Sequence, residues 1–494
     1  MSKYPTLPRE KTLASLPPEH PTDVLTQITT FLSTTIKPRR LVVLDDDPTG
    51  TQTCHDISVL TVWDIPTLIA EFRTHSAGFF ILTNSRALPP SEAETLIREI
   101  CSNVLQAALD TGLNRDSLDI VLRGDSTLRG HFPLEVDIAQ SVFVGPDDSS
   151  ASNATMQTPT WVLAPFFYQG GRFTINDVHY VAEGENLVPA GETQFARDAT
   201  FGYKSSSLRD YVLEKAPGRF KPEEIHSISL EDIRVGGPEG VRDRLLSFGI
   251  GSGGVVIANA AAEGDMHVFV AGLLLAEAQG ARYIYRTGAA FVSTRLGISP
   301  IPPITASDLS LPHPRETGGL ILAGSYVPKT TAQLKVLTET RGSDLDLIEM
   351  GVEDLIASPE SAADVIENVI KEAEGKLSRG RDTLVMTSRT LITGGDELSS
   401  LAIGSRVAKA LVRVLEGIEV RPRYIIAKGG ITSSDAATKG LRMKRALIVG
   451  QAAAGVPLWR CDEPTSRHRG VPFVVFPGNV GGESTLCDLV AAWS

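Results

Sequence analysis

Short, continuous apolar runs alternate with longer amphipathic stretches along most of the chain. The runs in the first half are 41–44, 57–62, 79–82, 120–122, 161–164, 255–258 and 283–285, with helix-like segments such as 91–109 and 266–279 between them. Runs this continuous predict strands covered on both faces, and their alternation with helices predicts an α/β domain with a mostly parallel sheet. A stretch at 297–318 carries Pro300, Pro302, Pro303, Pro312 and Pro314 with few apolar anchors, which is linker chemistry. The rhythm then restarts at 320–322, 345–348, 384–386, 424–427, 447–449 and 473–476, with helices expected over 330–340, 360–377, 398–415, 432–441 and 483–493. The reading is two α/β domains with mostly parallel sheets. Residues 1–36 form an N-terminal arm, mobile over its first twenty residues, and a lead-in helix from Pro21. The first domain spans 37–297, the linker 298–318 and the second domain 319–494. The polar segment 145–158 reads as a surface insertion.

Composition narrows the class. The chain has 494 residues, 42% hydrophobic and 21% charged, an ordinary globular balance. Its formal charge of −12 disfavours nucleic acid and anionic membrane as partners. The longest apolar run, 268–276, has nine residues, far short of the roughly 20 a membrane span requires. The four cysteines show no CxxC or Cys/His spacing, so neither a disulfide framework nor a zinc site is expected, and a reducing, cytoplasmic setting is.

In parallel sheets ligands sit beyond the carboxyl ends of the strands, so the residues after each apolar run come first. Asp45, Asp46 and Asp47 lead into Pro48-Thr49-Gly50. Three adjacent carboxylates repel one another unless a cation, an Arg set or bound hydroxyls relieve them; helix capping is the plainer alternative. Arg86 follows a second run. Arg123-Gly124-Asp125-Ser126-Thr127-Leu128-Arg129-Gly130-His131 follows a third, a donor-rich segment suited to a carboxylate or phosphate. An i,i+4 surface pair between Asp125 and Arg129 is the competing reading. In the second half, Gly324-Ser325, Gly429-Gly430-Ile431-Thr432 and Gly478 lie in glycine-rich turns that suit phosphate. His131 and His179 are expected in loops, His131 as a structural histidine, while His179 could face the first site. No GxxxxGK[ST], GxSxG or protein-kinase signature occurs. Gly249–Gly254 matches GxGxxG but precedes its strand, so the dinucleotide reading is discarded.

Taken together, these blocks resemble the four-carbon acid sugar kinase family, whose members phosphorylate sugar acids of the threonate, erythronate or 3-oxo-tetronate type. Asp46-Asp47-Pro48-Thr49-Gly50, Arg123 to Gly130, Asp177-x-His179, Thr193 with Asp198, and the three glycine turns follow the family's order. Asn84-Ser85-Arg86, Ile431, Arg123 and Asp198-Ala199 depart from its usual residues. The resemblance implies an ATP-dependent kinase using Mg²⁺, with an N-terminal substrate-binding domain, a C-terminal nucleotide-binding domain and reaction in the cleft between. Asp46, Asp47, Asp125 and Arg129 would be catalytic. Thr49, Gly50, Arg86, Arg123, Ser126, Thr127 and His179 would bind the acid, and Ser325, Gly429, Gly430, Ile431, Thr432 and Gly478 the nucleotide. No metal ligand is assigned, and a homodimer is admissible. The rival readings are a sugar-acid binder whose nucleotide site has decayed, on the strength of Ile431, and an aldolase or dehydrogenase acting on related acids.

Overall fold

The apolar runs become strands because they are buried on both faces. Arg40–Asp45, Gly78–Leu82, Leu118–Arg123, Thr160–Ala164, Val255–Ala258 and Tyr283–Thr287 are covered over nearly their whole lengths. The computed structural model describes all residues except 1–2, 35–38, 75, 145–157, 313, 325–327, 389–396 and 479, and the side chains of 397–402 and 405. The insertion expected at 145–158 therefore lies, but for Thr158, outside the described residues. The chain forms two units: Met1–Gly50 with Val62–Pro300, and Thr51–Thr61 with Ile301–Ser494.

In the first unit the parallel sheet runs Gly78–Leu82, Arg40–Asp45, Leu118–Arg123, Tyr283–Thr287, Thr160–Ala164, Val255–Ala258 and Ile225–Ile228. From Arg40–Asp45 the chain crosses first to one neighbour and then to the other. The crevice beyond Asp45 and Arg123 is thus a topological switch point, where α/β sheets bind ligands. Helix Pro90–Asp110 buries Ile97, Ile100, Cys101 and Val104 along one face, at helical spacing. A second, antiparallel sheet of Leu7–Pro8, Asn186–Pro189, Val178–Glu183 and Arg172–Ile175 was not evident in the apolar pattern. Leu7 and Pro8 add a strand to its edge, so the arm expected to be mobile is docked.

The second unit continues the α/β theme. Pro472–Phe476, Ile425–Lys428, Leu320–Ala323, Asp382–Thr387 and Leu345–Met350 are parallel. Val456–Cys461, Arg445–Ala453 and Ile57–Leu60 add antiparallel strands beyond Pro472–Phe476. Ile57–Leu60 comes from the excursion that leaves the first unit after Gly50, and Trp459 Nε1 holds it through a 2.9 Å bond to Thr51 Oγ1. Of the stretch read as a linker, Ile304, Ala306, Leu309 and Leu311 pack on the core of this unit, and Ile304 N bonds Gln451 O at 2.7 Å. Among the described residues no helix is long and apolar enough to cross a membrane.

Candidate active site

In the first unit the loop after Leu118–Arg123 is fixed by its carbonyls. Ser126 O is bonded by His179 Nε2 at 2.8 Å, Thr127 O by Tyr203 Oη at 2.7 Å, Leu128 O by Tyr211 Oη at 2.9 Å and Arg129 O by Arg286 Nη2 at 3.1 Å. Four consecutive carbonyls are thus held by side chains from elsewhere in the unit. Leu128 takes φ +68°, a left-handed conformation costly for a branched side chain unless its surroundings enforce it.

Beside this loop, carboxylates and guanidiniums from several strand ends alternate. Asp47 pairs with Arg86, Arg86 Nη1 lies 3.8 Å from Asp125, Arg129 Nε bonds Asp125 at 2.6 Å, and Arg129 Nη1 lies 3.6 Å from Asp198. Asp198 is fixed by the amides of Thr200 and Phe201, and the Phe195 ring lies 5.2 Å from the Arg129 guanidinium. Burial alone would raise Asp125 and Asp47. The facing guanidiniums, with Thr127 and Thr49, hold both below the usual carboxylate range, and the carboxylates in turn keep the partly buried Arg86 firmly protonated.

A buried layer lies behind. Asp46 is 3% exposed, and its nearest cations, Arg86 and Arg286, are each 3.8 Å away. Burial pushes Asp45 up to about 8, with Asp46 and Asp47 adding to it against the pull of Arg123. Burial likewise pushes Glu135, which accepts a 2.5 Å bond from Ser85 Oγ, up to about 7. The repulsion expected of the aspartate triplet is therefore relieved by arginines and by a protonated Asp45.

The structure brings Asp46, Asp47, Asp125, Arg129, Thr49, Gly50 and Arg86 together, with different exposures. Thr49 bonds Asp47, and Gly50 backs onto the Asp45 carboxylate. Ser126 and Thr127 are buried in the fixed loop. Arg123 is buried against Asp45, with Nη1–Oδ1 at 3.4 Å, and faces inward. His179 is not in a loop. It sits in strand Val178–Glu183, fully buried, with its Nδ1 3.0 Å from Thr174 Oγ1, so it supports the loop from behind. His131 is structural as read, its Nε2 between the Ser85 and Leu88 carbonyls. Arg286, Glu135, Tyr203 and Tyr211 were missed. Arg286 had a signal: it follows the apolar run 283–285, the position inspected in other strands. Its guanidinium passes beside Gly124 and Gly130, where a Cβ would lie 1.3 Å and 2.6 Å from it. Those glycines leave room for an arginine.

In the second unit three turns meet at neighbouring strand ends. A Cβ on Gly324 would lie 3.3 Å from Thr432 Oγ1. Gly429 takes φ +112°, which a side chain would strain, and its amide bonds Phe476 O at 2.8 Å. Thr330 Oγ1 bonds Gly478 O at 3.1 Å, and Gln333 Nε2 bonds the carbonyls of Val480 and Gly482. Gly430 opens the short helix Gly430–Asp435, and Ile431 is 64% exposed, its side chain turned away from the packed interior. Ser325 lies outside the described residues. Among the described residues no group of three or more His, Cys, Asp or Glu side chains could hold a metal ion.

A family model described as a sugar-binding N-terminal domain matches residues 41–295, and one described as a nucleotide-binding C-terminal domain matches 320–486. The chain belongs to the four-carbon acid sugar kinase family. Two solved structures share the fold. A Salmonella typhimurium LT2 protein, provisionally described as a tRNA synthase, is 16% identical with a TM-score of 0.60, over 92% of this chain and 98% of its own. Haemophilus influenzae protein HI1011 is 16% identical with a TM-score of 0.56, over 91% and 99%. None of the curated proteins matches. Within the family's two-domain plan, the charged loop falls in the sugar-binding domain and the glycine turns in the nucleotide-binding one.

Two stability measurements check this geometry. Gly124→Ala should cost about 1–3 kcal/mol in urea unfolding by driving a methyl into Arg286, and Arg286→Ala in the same chain should recover part of that loss. Independent, additive losses would show that the two residues do not share the space. Burial holds His179 near 4, against about 6.5 in an unfolded chain. Between those values the unfolded chain binds a proton that the folded protein refuses. Stability therefore falls as pH drops through that window, by about 3 kcal/mol in full. His179→Asn should remove this slope; an unchanged slope would mean that His179 is not held neutral.

Proposed function

We propose that the protein transfers the γ-phosphoryl group of ATP to a hydroxyl of a four-carbon sugar acid of the threonate, erythronate or 3-oxo-tetronate type. The observation that carries this reading is the alternating row Asp47, Arg86, Asp125, Arg129 and Asp198, lying in the domain matched as sugar-binding. A sugar acid presents one carboxylate and several hydroxyls, so it asks for guanidiniums and carboxylates in close alternation. Arg86 and Arg129 are the partly exposed cations suited to its carboxylate. Asp47 and Asp125, ionised at neutral pH, are suited to accept from its hydroxyls. Asp46, Arg123 and His179 act from behind by holding charge and loop in place.

In the transfer, the substrate oxygen forms a bond to the γ-phosphorus while the bond from that phosphorus to the bridging oxygen breaks and ADP leaves. The hydroxyl proton passes to a carboxylate of the row. Phosphoryl transfer needs positioning and charge neutralisation more than covalent help, and a prefixed loop supplies both. Gly429, Gly430, Thr432 and Gly478, with Ser325, are the groups proposed to seat the nucleotide. The aspartates do not form a metal cage, because Arg86 lies among them. The Mg²⁺ that accompanies ATP fits this chain as an ion held mainly by phosphate oxygens and water.

The direct test is ADP release on a panel of four-carbon acids. One or more should be phosphorylated, and Asp47→Ala and Arg129→Ala should each lower kcat/KM about 10²–10⁴-fold with melting temperatures close to the parent's. A chain that binds the acids but not ATP in calorimetry would instead be the decayed binder. Near-normal turnover in either variant would remove that residue from the proposed machinery.

A further inference from the structure

Lys428 ends strand Ile425–Lys428 directly before the Gly429-Gly430 turn and is fully buried. Its Nζ donates to the Pro477 carbonyl at 2.5 Å, and the Phe476 ring lies 4.1 Å from the ammonium. Pro477 opens the neighbouring glycine turn, and Gly429 N bonds Phe476 O, so the lysine and the Gly429 amide both tie the first turn to the end of the strand that leads into the second. Among the described residues no carboxylate pairs with it, and a lysine buried in that way is costly. The charged group that bears on it is Lys329, at the start of helix Pro328–Arg341, and that is positive too. A tether alone does not need a cation there, because a neutral donor would bond Pro477 O equally well.

We propose that Lys428 is the positioning cation of the nucleotide site: it ties the Gly429–Thr432 turn to Pro477 at the start of the neighbouring glycine turn and supplies positive charge to the nucleotide's phosphates. This rests on the reading that those turns seat ATP. Burial, with Lys329 adding to it, lowers the ammonium to about 7, so above that pH the group stands largely neutral in the free protein. A polyanion settling on the turns favours the protonated form, so binding draws a proton from solution.

The experiment is calorimetric titration of the full chain with ATP and excess Mg²⁺ at pH 8, in buffers of different ionisation enthalpy. At that pH the nucleotide carries no titrating proton of its own. Wild type should take up close to one proton per ATP bound. Lys428→Met should bind roughly ten- to fifty-fold more weakly and take up none. Lys329→Met should bind more weakly but keep the proton uptake. Binding without proton uptake in wild type overturns the assignment and leaves the nucleotide reading intact, and so does Lys428→Met with unchanged affinity and uptake. If Lys428→Met does not fold, the wild-type uptake and its loss below pH 6 decide the matter. A wild type that binds neither ATP, ADP nor pyrophosphate overturns both readings.

Discussion

Four successive carbonyls, from Ser126 to Arg129, are each gripped by a side chain from another part of the first unit, and the conformation of the charged loop depends on that grip. A loop of this composition would otherwise be free to collapse onto its own charges. Here His179, Tyr203, Tyr211 and Arg286 take the carbonyls, and Asp125 turns to Arg129, Thr127 and Arg86. Each bond is worth only about 0.5–1.5 kcal/mol net. Together they hold Leu128 in a left-handed conformation and set the Asp125 and Arg129 side chains before any ligand arrives. The ordering cost is met in folding, so less of it falls on binding.

The second constraint is charge. The partly exposed row from Asp47 to Asp198 alternates in sign, and the guanidiniums help to keep Asp47, Asp125 and Asp198 ionised. The layer behind cannot alternate in the same way, because Asp45, Asp46 and Glu135 crowd against few cations. Burial lifts Asp45 and Glu135 instead, shifting both toward their neutral forms. Arg286 serves both layers: it faces Asp46 and bonds the Arg129 carbonyl. In the second unit the buried Lys428 donates to the Pro477 carbonyl, and among the described residues no carboxylate pairs with it.

Much of this was legible in the sequence, and the failures have physical causes. Fully buried parallel strands must be apolar without interruption, so runs such as 79–82 and 255–258 marked the sheet. Loaded strand ends marked Asp46, Asp47, Arg86 and Asp125. The small sheet escaped because its strands mix polar with apolar residues, as Arg172–Ile175 does. Residues 51–61 looked like part of the first domain by position alone, and only their pairing with Arg445–Ala453 places them in the second unit. Tyr203 and Tyr211 reach the loop from about 80 residues away in sequence, a distance over which no periodicity carries information. Arg123 and His179 show the converse: the right residue types in the right motif, turned inward to support rather than outward to bind.

Amide hydrogen exchange of the ligand-free protein tests the prefixed loop most directly. Gly124 N bonds Thr287 O, Thr127 N bonds the Asp125 carboxylate and Leu128 N bonds Asp125 O. These amides should exchange orders of magnitude more slowly than free peptide, with little further slowing when a four-carbon acid is added. Exchange at free-peptide rates until the acid is present would mean that the ligand builds the loop, and the account of a site set in advance by its carbonyls would be wrong.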